Sequence, residues 1–200
     1  MKIILVGAAG TIGQNIAKAL SNKKEVEIIK VGRTTGDFKI DMESPESIEN
    51  FFKIVGSFDA LISAAGEVAF SPLDKLSEKD WSKSLNSKLM GQIRLVQLGI
   101  PYIKDKGSFT LVSGVLADEP IAAGTPASVV NKALEGFVMS ASRELPRGVR
   151  LNLVSPNLLT ESVADYEGYF PGFATTPGSA VAQSFIKSVY GVQTGAVFRI

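Results

Sequence analysis

The chain contains no cysteine and no histidine in 200 residues. The first absence excludes disulfides, thiolate nucleophiles and sulfur-ligated metals. The second removes the commonest metal ligand and the usual general base near neutral pH. A Ser–His–Asp hydrolase, a zinc hydrolase or a cysteine protease of the usual kind cannot be built from what is left. Any chemistry must rest on Ser, Thr, Tyr, Lys, a carboxylate or a borrowed cofactor. An excess of one charge sign is missing too: 21 Lys and Arg face 20 Asp and Glu, for a net charge of +1. Such a balance gives no global field to hold nucleic acid or anionic lipid. Long apolar runs are also lacking. The run Ile3–Val6 is interrupted at Gly7, short of the roughly 7–15 residues of a signal-peptide core. Nothing approaches the about 20 apolar residues of a membrane span. These absences lead us to expect a soluble, cytoplasmic protein whose partners include neither nucleic acid nor membrane.

What is present fits one domain covering residues 1–200. Hydrophobic residues make up 45% of the chain, and a chain this long can hide roughly 70% of its unfolded surface. Short β-branched runs alternate with helical spacing almost throughout. Strands are expected at Lys2–Val6, Glu25–Val31, Phe38–Ile40, Asp59–Ser63, Ser108–Val112, Val149–Val154 and Ala196–Ile200. Helices are expected at Thr11–Leu20, Ser44–Val55, about Lys79–Ile103, Ala127–Leu145 and Ser179–Val189, with an irregular segment over 157–178. The alternation predicts an α/β fold with a doubly wound parallel sheet of Rossmann type, since parallel strands need helical crossovers. Ligands of such sheets bind beyond the carboxyl ends of the strands, here after residues 6, 31, 63, 113 and 154.

Gly7, Gly10 and Gly13 lie between the first strand and the first helix. Bare backbone there allows a tight turn and close approach of a pyrophosphate to a helix N-terminus. About twenty residues on, where an acid would take the ribose 2′-hydroxyl of NAD, stands Arg33, followed by Thr34 and Thr35. A guanidinium and hydroxyls suit a 2′-phosphate, so the expected cofactor is NADP.

From here the chain resembles the short-chain dehydrogenase/reductase family over nearly its whole length. The resemblance is carried by the glycine turn, Asp41, Ser63-Ala64-Ala65-Gly66, Leu111-Val112-Ser113-Gly114, Lys132, Val154-Ser155-Pro156-Asn157 and Thr194-Gly195-Ala196-Val197. It implies that Gly7, Thr11, Ile12, Arg33 and Asp41 surround the adenosine and phosphates, and that Ala64, Ala65 and Gly66 lie beside the ribose. Pro156 to Leu158 would flank the nicotinamide, and Thr160 and Ser162 fall where the family holds the carboxamide or a phosphate. The resemblance also implies a homodimer or homotetramer built on the two long central helices.

The departures concern the family's catalytic group of Asn, Ser, Tyr and Lys. Lys132 is present, but four residues earlier stands Ser128 in place of Tyr, and the Asn position falls on Lys88. Ser113 ends the fifth strand, with Gly114 in the slot that several family members fill with a second serine. A serine hydroxyl is a much weaker acid than a phenol of pKa about 10. Two readings follow. In the first, the protein is an NADP(H)-dependent oxidoreductase acting on a small carbonyl or alcohol. Ser113 polarises the oxygen, Lys132 holds the ribose, Ser128 offers a hydrogen bond, and the proton comes from water, Lys88, or Tyr166 or Tyr169 of the loop. In the second, it is an NADP-binding sensor or scaffold that has lost the acid.

Overall fold

A computed structural model describes residues 1–21, 23 and 25–200. The first half winds β1 (Lys2–Val6), α1 (Thr11–Ser21), β2 (Glu27–Gly32), β3 (Phe38–Lys39), α2 (Pro45–Val55) and β4 (Phe58–Ser63). The second half adds α3 (Glu78–Ser84), a π-helical turn (Leu85–Met90), α4 (Gly91–Gly99), β5 (Ile103–Val112), α5 (Thr125–Ala141) and β6 (Arg150–Ser155). A loop follows, carrying the short pair β7 (Leu158–Leu159) and β8 (Thr175–Thr176) and the 3-10 turn Thr160–Tyr166. The chain finishes with α6 (Gly178–Tyr190) and β9 (Val197–Arg199).

The main sheet is parallel, in the order β3-β2-β1-β4-β5-β6-β9. The order reverses between β1 and β4, and a ligand crevice is expected there. Because both sheet faces are covered, the central strands read as continuous apolar runs. On one face Ile48 and Phe52 of α2, Leu95 of α4 and Leu134 and Val138 of α5 pack against Ile4, Leu61, Phe109 and Leu151. On the other, Ile16 and Leu20 of α1 and Val181 and Phe185 of α6 pack against Ile3, Leu5 and Ile62.

The doubly wound architecture matches the expectation, with three differences of detail. The long helix ends at Gly99 rather than at Ile103, because Pro101 has no N–H to continue it and the chain enters β5 at Ile103. α5 begins earlier, at Thr125 with Pro126 in its first turn, and stops at Ala141. The long helix also widens at Leu85–Met90, where the Gly91 N–H bonds back to the Asn86 carbonyl. Gln92 fixes this wide turn to the sheet. Its buried amide donates to the carbonyls of Lys88 (3.1 Å) and Val112 (2.8 Å) and accepts from the Val112 N–H (2.8 Å). Wide turns of this kind are frequent at functional sites, and this one carries Lys88.

Candidate functional site

The turn after β1 contains glycines that are there for different reasons. Gly7 has φ +83°, and a Cβ on it would lie 2.6 Å from the Ala64 carbonyl oxygen. A Cβ on Gly13 would collide with the carbonyl of Gly7. Both are required for β1, β4 and α1 to approach one another. Gly10 is not: its φ is ordinary, and a Cβ there would meet nothing nearer than the Gly7 oxygen at 3.6 Å. Its bare backbone faces solvent beside the start of α1 at Thr11, the geometry in which a helix N-terminus takes an anion. The Ile12 side chain packs into the core under α1, as does Ala64, so these two residues could offer a ligand only backbone.

A cavity of about 160 Å³ opens next to this turn. It brings together Gly7, Arg33, Asp41, Ala65 and Gly66, all expected from the sequence, with Met42, Glu67 and Ser87, which were not. Arg33 pairs with Glu67 at 2.8 Å, and Lys83 pairs with the same carboxylate at 3.0 Å. The Lys83 hydrogen bond, with help from Arg33, holds the Glu67 carboxyl below its usual range. Two cations therefore already converge on one anionic group at the mouth of this cavity. Asp41 is partly committed to the fold: its backbone N–H donates to Ser47 and its side chain accepts from the Glu43 N–H. Thr34 is exposed and outside the cavity wall. Glu67 follows Gly66 directly in sequence, and nothing local in the sequence marks it as part of the site.

Gly66 also lines a second cavity of about 240 Å³, between β4, β5, α5 and the loop after β6. Lys88, Ser113, Gly114, Ala127, Asn131, Pro156, Leu158, Ser162, Tyr166 and Phe170 form much of its wall. Gly66 has φ +131°, and a Cβ on it would sit 2.8 Å from the Lys88 Cα, so its bareness is what lets the lysine pass close to the strand end. The Lys88 ammonium donates to the Ser113 carbonyl at 3.2 Å. Burial pushes its pKa down to about 8. No carboxylate stands among the described residues of this wall.

The face that α5 presents here differs from the one expected. Positions four apart on a helix share a face, and neighbouring positions diverge by about 100°. Ala127 and Asn131 form the inward pair, so Ser128 and Lys132 are turned aside. Lys132 points outward, with its Nζ 2.8 Å from Asp118 and 2.9 Å from Glu135. Arg199 bonds the same two carboxylates at 2.7 Å each. The hydrogen bond that Lys132 donates to the Asp118 carboxylate raises the Lys132 pKa. The expectation that Lys132 holds a ribose is corrected accordingly: its charge is spent on an exposed ion-pair network. Ser128 has a buried hydroxyl with no partner, outside the cavity wall. Ser113 reaches the wall, but its hydroxyl turns into α5 and donates to the Asn131 carbonyl at 3.2 Å. Asn131 is 3% exposed, donates from Nδ2 to the Gly114 carbonyl at 3.4 Å, and leaves Oδ1 without a partner.

In the loop after β6, Pro156, Leu158 and Ser162 reach the wall. Thr160 instead bonds Thr175 at 3.2 Å, away from it. The loop aromatics pack on one another and on Phe70: ring centroids lie 6.3 Å apart for Phe70 and Tyr166 and 5.7 Å for Tyr166 and Phe170. Tyr169 meets Phe70 edge-on, with ring centroids 6.5 Å apart, and lines a neighbouring cavity with Phe173.

Comparison with known proteins agrees with this architecture. The family model described as Enoyl-(Acyl carrier protein) reductase matches residues 7–174. A 3-oxoacyl-[acyl-carrier-protein] reductase FabG from Buchnera aphidicola is 27% identical over 179 residues, covering 78% of this chain and 72% of that protein. The corresponding FabG of Staphylococcus aureus is 27% identical over 168 residues, covering 76% of this chain and 68% of that one. Among solved structures, protein lin1944 from Listeria innocua superposes with a TM-score of 0.97 at 44% identity, covering 100% of this chain and 99% of its own. A small-chain dehydrogenase in complex with NADPH superposes with a TM-score of 0.88 at 24% identity, covering 100% of this chain and 96% of its own. With its glycine turn, its strand order and a family model spanning most of its length, the chain belongs to the short-chain dehydrogenase/reductase family.

Proposed function

We propose that the protein is an NADP(H)-dependent oxidoreductase that interconverts a small, largely apolar carbonyl compound and its alcohol. The observation that carries this reading is the pair of cavities that meet at Gly66, one reached from the glycine turn and Arg33 and the other from Lys88 and the loop aromatics. The bare Gly10, for which packing gives no reason, supports a ligand's backbone-close approach at that end. The residues fit the dinucleotide. The turn Gly7–Gly13 and the start of α1 at Thr11 would take the pyrophosphate, and Arg33 the 2′-phosphate while Glu67 stays with Lys83. Asp41 and Ala65 would flank the adenosine, and Pro156 and Leu158 the nicotinamide. When bound, the nicotinamide supplies or accepts the hydride.

Phe70, Tyr166 and Phe170 favour a substrate with an apolar or aromatic body, and the absence of a carboxylate from the described wall disfavours a cationic one. The carbonyl reduction named for the FabG relatives supports this reaction class. Outside the site, the groove between α4 and α5, lined by Val96, Ile100, Phe137 and Leu145, supports pairing of copies in a homo-oligomer.

A second reading has one specific observation behind it. Gly114, Ala127 and Asn131 put no phenol on the inner face of α5, and the Ser113 hydroxyl at the end of β5 is turned into α5, which favours an NADP-binding sensor. Following NADPH oxidation across a panel of apolar ketones and aldehydes separates the two. Turnover of any of them supports the oxidoreductase. Tight NADPH binding with no turnover across the panel supports the sensor.

A further inference from the structure

Lys88 is an ammonium whose surroundings do not account for it. It carries three N–H donors, and the described residues give it a single acceptor, the Ser113 carbonyl. It enters no ion pair among the described residues. On the opposite wall of the same cavity, Asn131 is almost fully buried and its amide oxygen has no hydrogen-bond partner. Buried polar groups normally have a protein or water partner, and one without a protein partner marks a place that a polar group can fill. Unused Lys88 donors on one wall suit a ligand oxygen that accepts a hydrogen bond, as a carbonyl does, and the Asn131 amide stands on the wall opposite.

We propose that Lys88 delivers the proton to the substrate oxygen during carbonyl reduction and takes it back during alcohol oxidation, with Asn131 positioning the oxygen-bearing group. The inference rests on the oxidoreductase reading and names the acid that reading needs. In reduction an N–H bond of Lys88 breaks and an O–H bond forms, leaving a neutral amine that solvent reprotonates. The hydride that reduces the carbon comes from the reduced nicotinamide, which is oxidised in the same turnover.

Other titratable groups do not compete at this place. Glu67 on the β4 loop is held by Arg33 and Lys83. The end of β5 contributes Ser113 and Gly114, and α5 contributes Ala127 and Asn131, with Lys132 and Glu135 turned outward. On the loop, the Tyr166 ring packs against Phe70 and Phe170. An amine that burial brings to about 8 is close enough to neutral pH to work in either direction.

Two measurements test this, one of them without nucleotide or substrate. Competitive acetylation of the protein with acetic anhydride, resolved by mass spectrometry, is expected to show Lys88 labelling with a midpoint near pH 8 while Lys132 labels only well above it. Asn131→Asp is expected to move the Lys88 midpoint upward. A Lys88 midpoint as high as that of Lys132 would overturn the inference, whatever the turnover data show. The second measurement is the pH profile of ketone reduction at saturating NADPH. It is expected to be flat below about 8 and to fall above it in the wild type, to drop by about 10²–10⁴ in kcat in Lys88→Met, and to recover in part with a later fall in Lys88→Arg. NADPH affinity in Lys88→Met is expected within threefold of the wild type. Retention of wild-type kcat and pH profile in Lys88→Met would overturn the role of Lys88 while leaving the oxidoreductase reading standing. NADPH binding without turnover of any ketone would remove that reading and the inference together.

Discussion

Lys88 and Lys132 are the two lysines that a sequence reading places near the chemistry, and the fold treats them in opposite ways. Lys132 stands outside α5 between Asp118 and Glu135, which raise its pKa and commit its charge. Lys88 stands inside, on a widened turn of the long helix, with one carbonyl acceptor and no carboxylate, and burial lowers its pKa to about 8. A lysine with two anionic partners has little freedom to exchange a proton near neutral pH. A lysine that is desolvated without a carboxylate partner exchanges one readily. Identity alone therefore says little about what a lysine does here, because the number of carboxylates it meets decides it.

The comparison breaks most sharply at Lys88. Lys88→Met keeps the length and apolar stem of the side chain and removes the charge. Beyond the loss of turnover, its thermal midpoint at pH 7 is expected to rise, on the order of 5 °C. The sign follows from the direction of the shift. A lysine whose folded pKa lies below its unfolded value near 10.5 imposes a full penalty below about 8, and that penalty disappears as pH rises through 10.5. The gain in Lys88→Met over the wild type should thus shrink between pH 7 and pH 10.5, which differential scanning at both values checks.

The glycine turn offers a second contrast, between residues required by packing and one left free. Gly13→Ala forces a Cβ into the Gly7 carbonyl and is expected to cost about 3 kcal/mol or more of stability by denaturant titration. Gly10→Ala is expected to leave the denaturation midpoint nearly unchanged and to weaken NADPH binding by about tenfold, a loss of roughly 1.4 kcal/mol. Arg33→Ala comes next. Removing a charge-assisted contact to the 2′-phosphate should weaken NADPH by about 10–100-fold and leave NADH unaffected, read by fluorescence titration of the variant against the wild type. The smallest effect is expected at Lys132→Ala. Arg199 remains on Asp118 and Glu135, so turnover should stay within about twofold and the thermal midpoint should move little, less still in added salt.

Much of the fold was legible because its signals were local and repeated. Continuous apolar strands alternating with amphipathic helices require a parallel sheet with both faces covered, and the glycine turn announced its own position after β1. The candidate site was legible at Gly7, Arg33, Asp41, Gly66, Lys88 and Pro156, each fixed by the end of a strand or by a count along a helix. It failed on α5 by one residue. Counting back from Lys132 put Ser128 on the inner face, whereas the entry of α5 at Thr125 turns Ala127 and Asn131 inward, and a one-residue error on a helix is a rotation of about 100°. The end of the long helix was misread because the apolar seam continues through Ile100 and Ile103, although Pro101 could not continue the hydrogen bonding. The widened turn at Leu85–Met90 has no local signature. It depends on Gln92 reaching Val112, a contact between residues twenty apart. Glu67 was passed over because a single acid after a glycine means nothing until Arg33 and Lys83 are seen to meet on it.

The central claim is that the cleft from the glycine turn towards Pro156 and Leu158 holds NADP(H), and a paired titration with NADPH and NADH, followed by nucleotide fluorescence, tests it most directly. The account predicts micromolar binding of NADPH and binding of NADH at least about tenfold weaker, in keeping with one charge-assisted contact to the 2′-phosphate. Failure of both nucleotides to bind at millimolar concentration would contradict it.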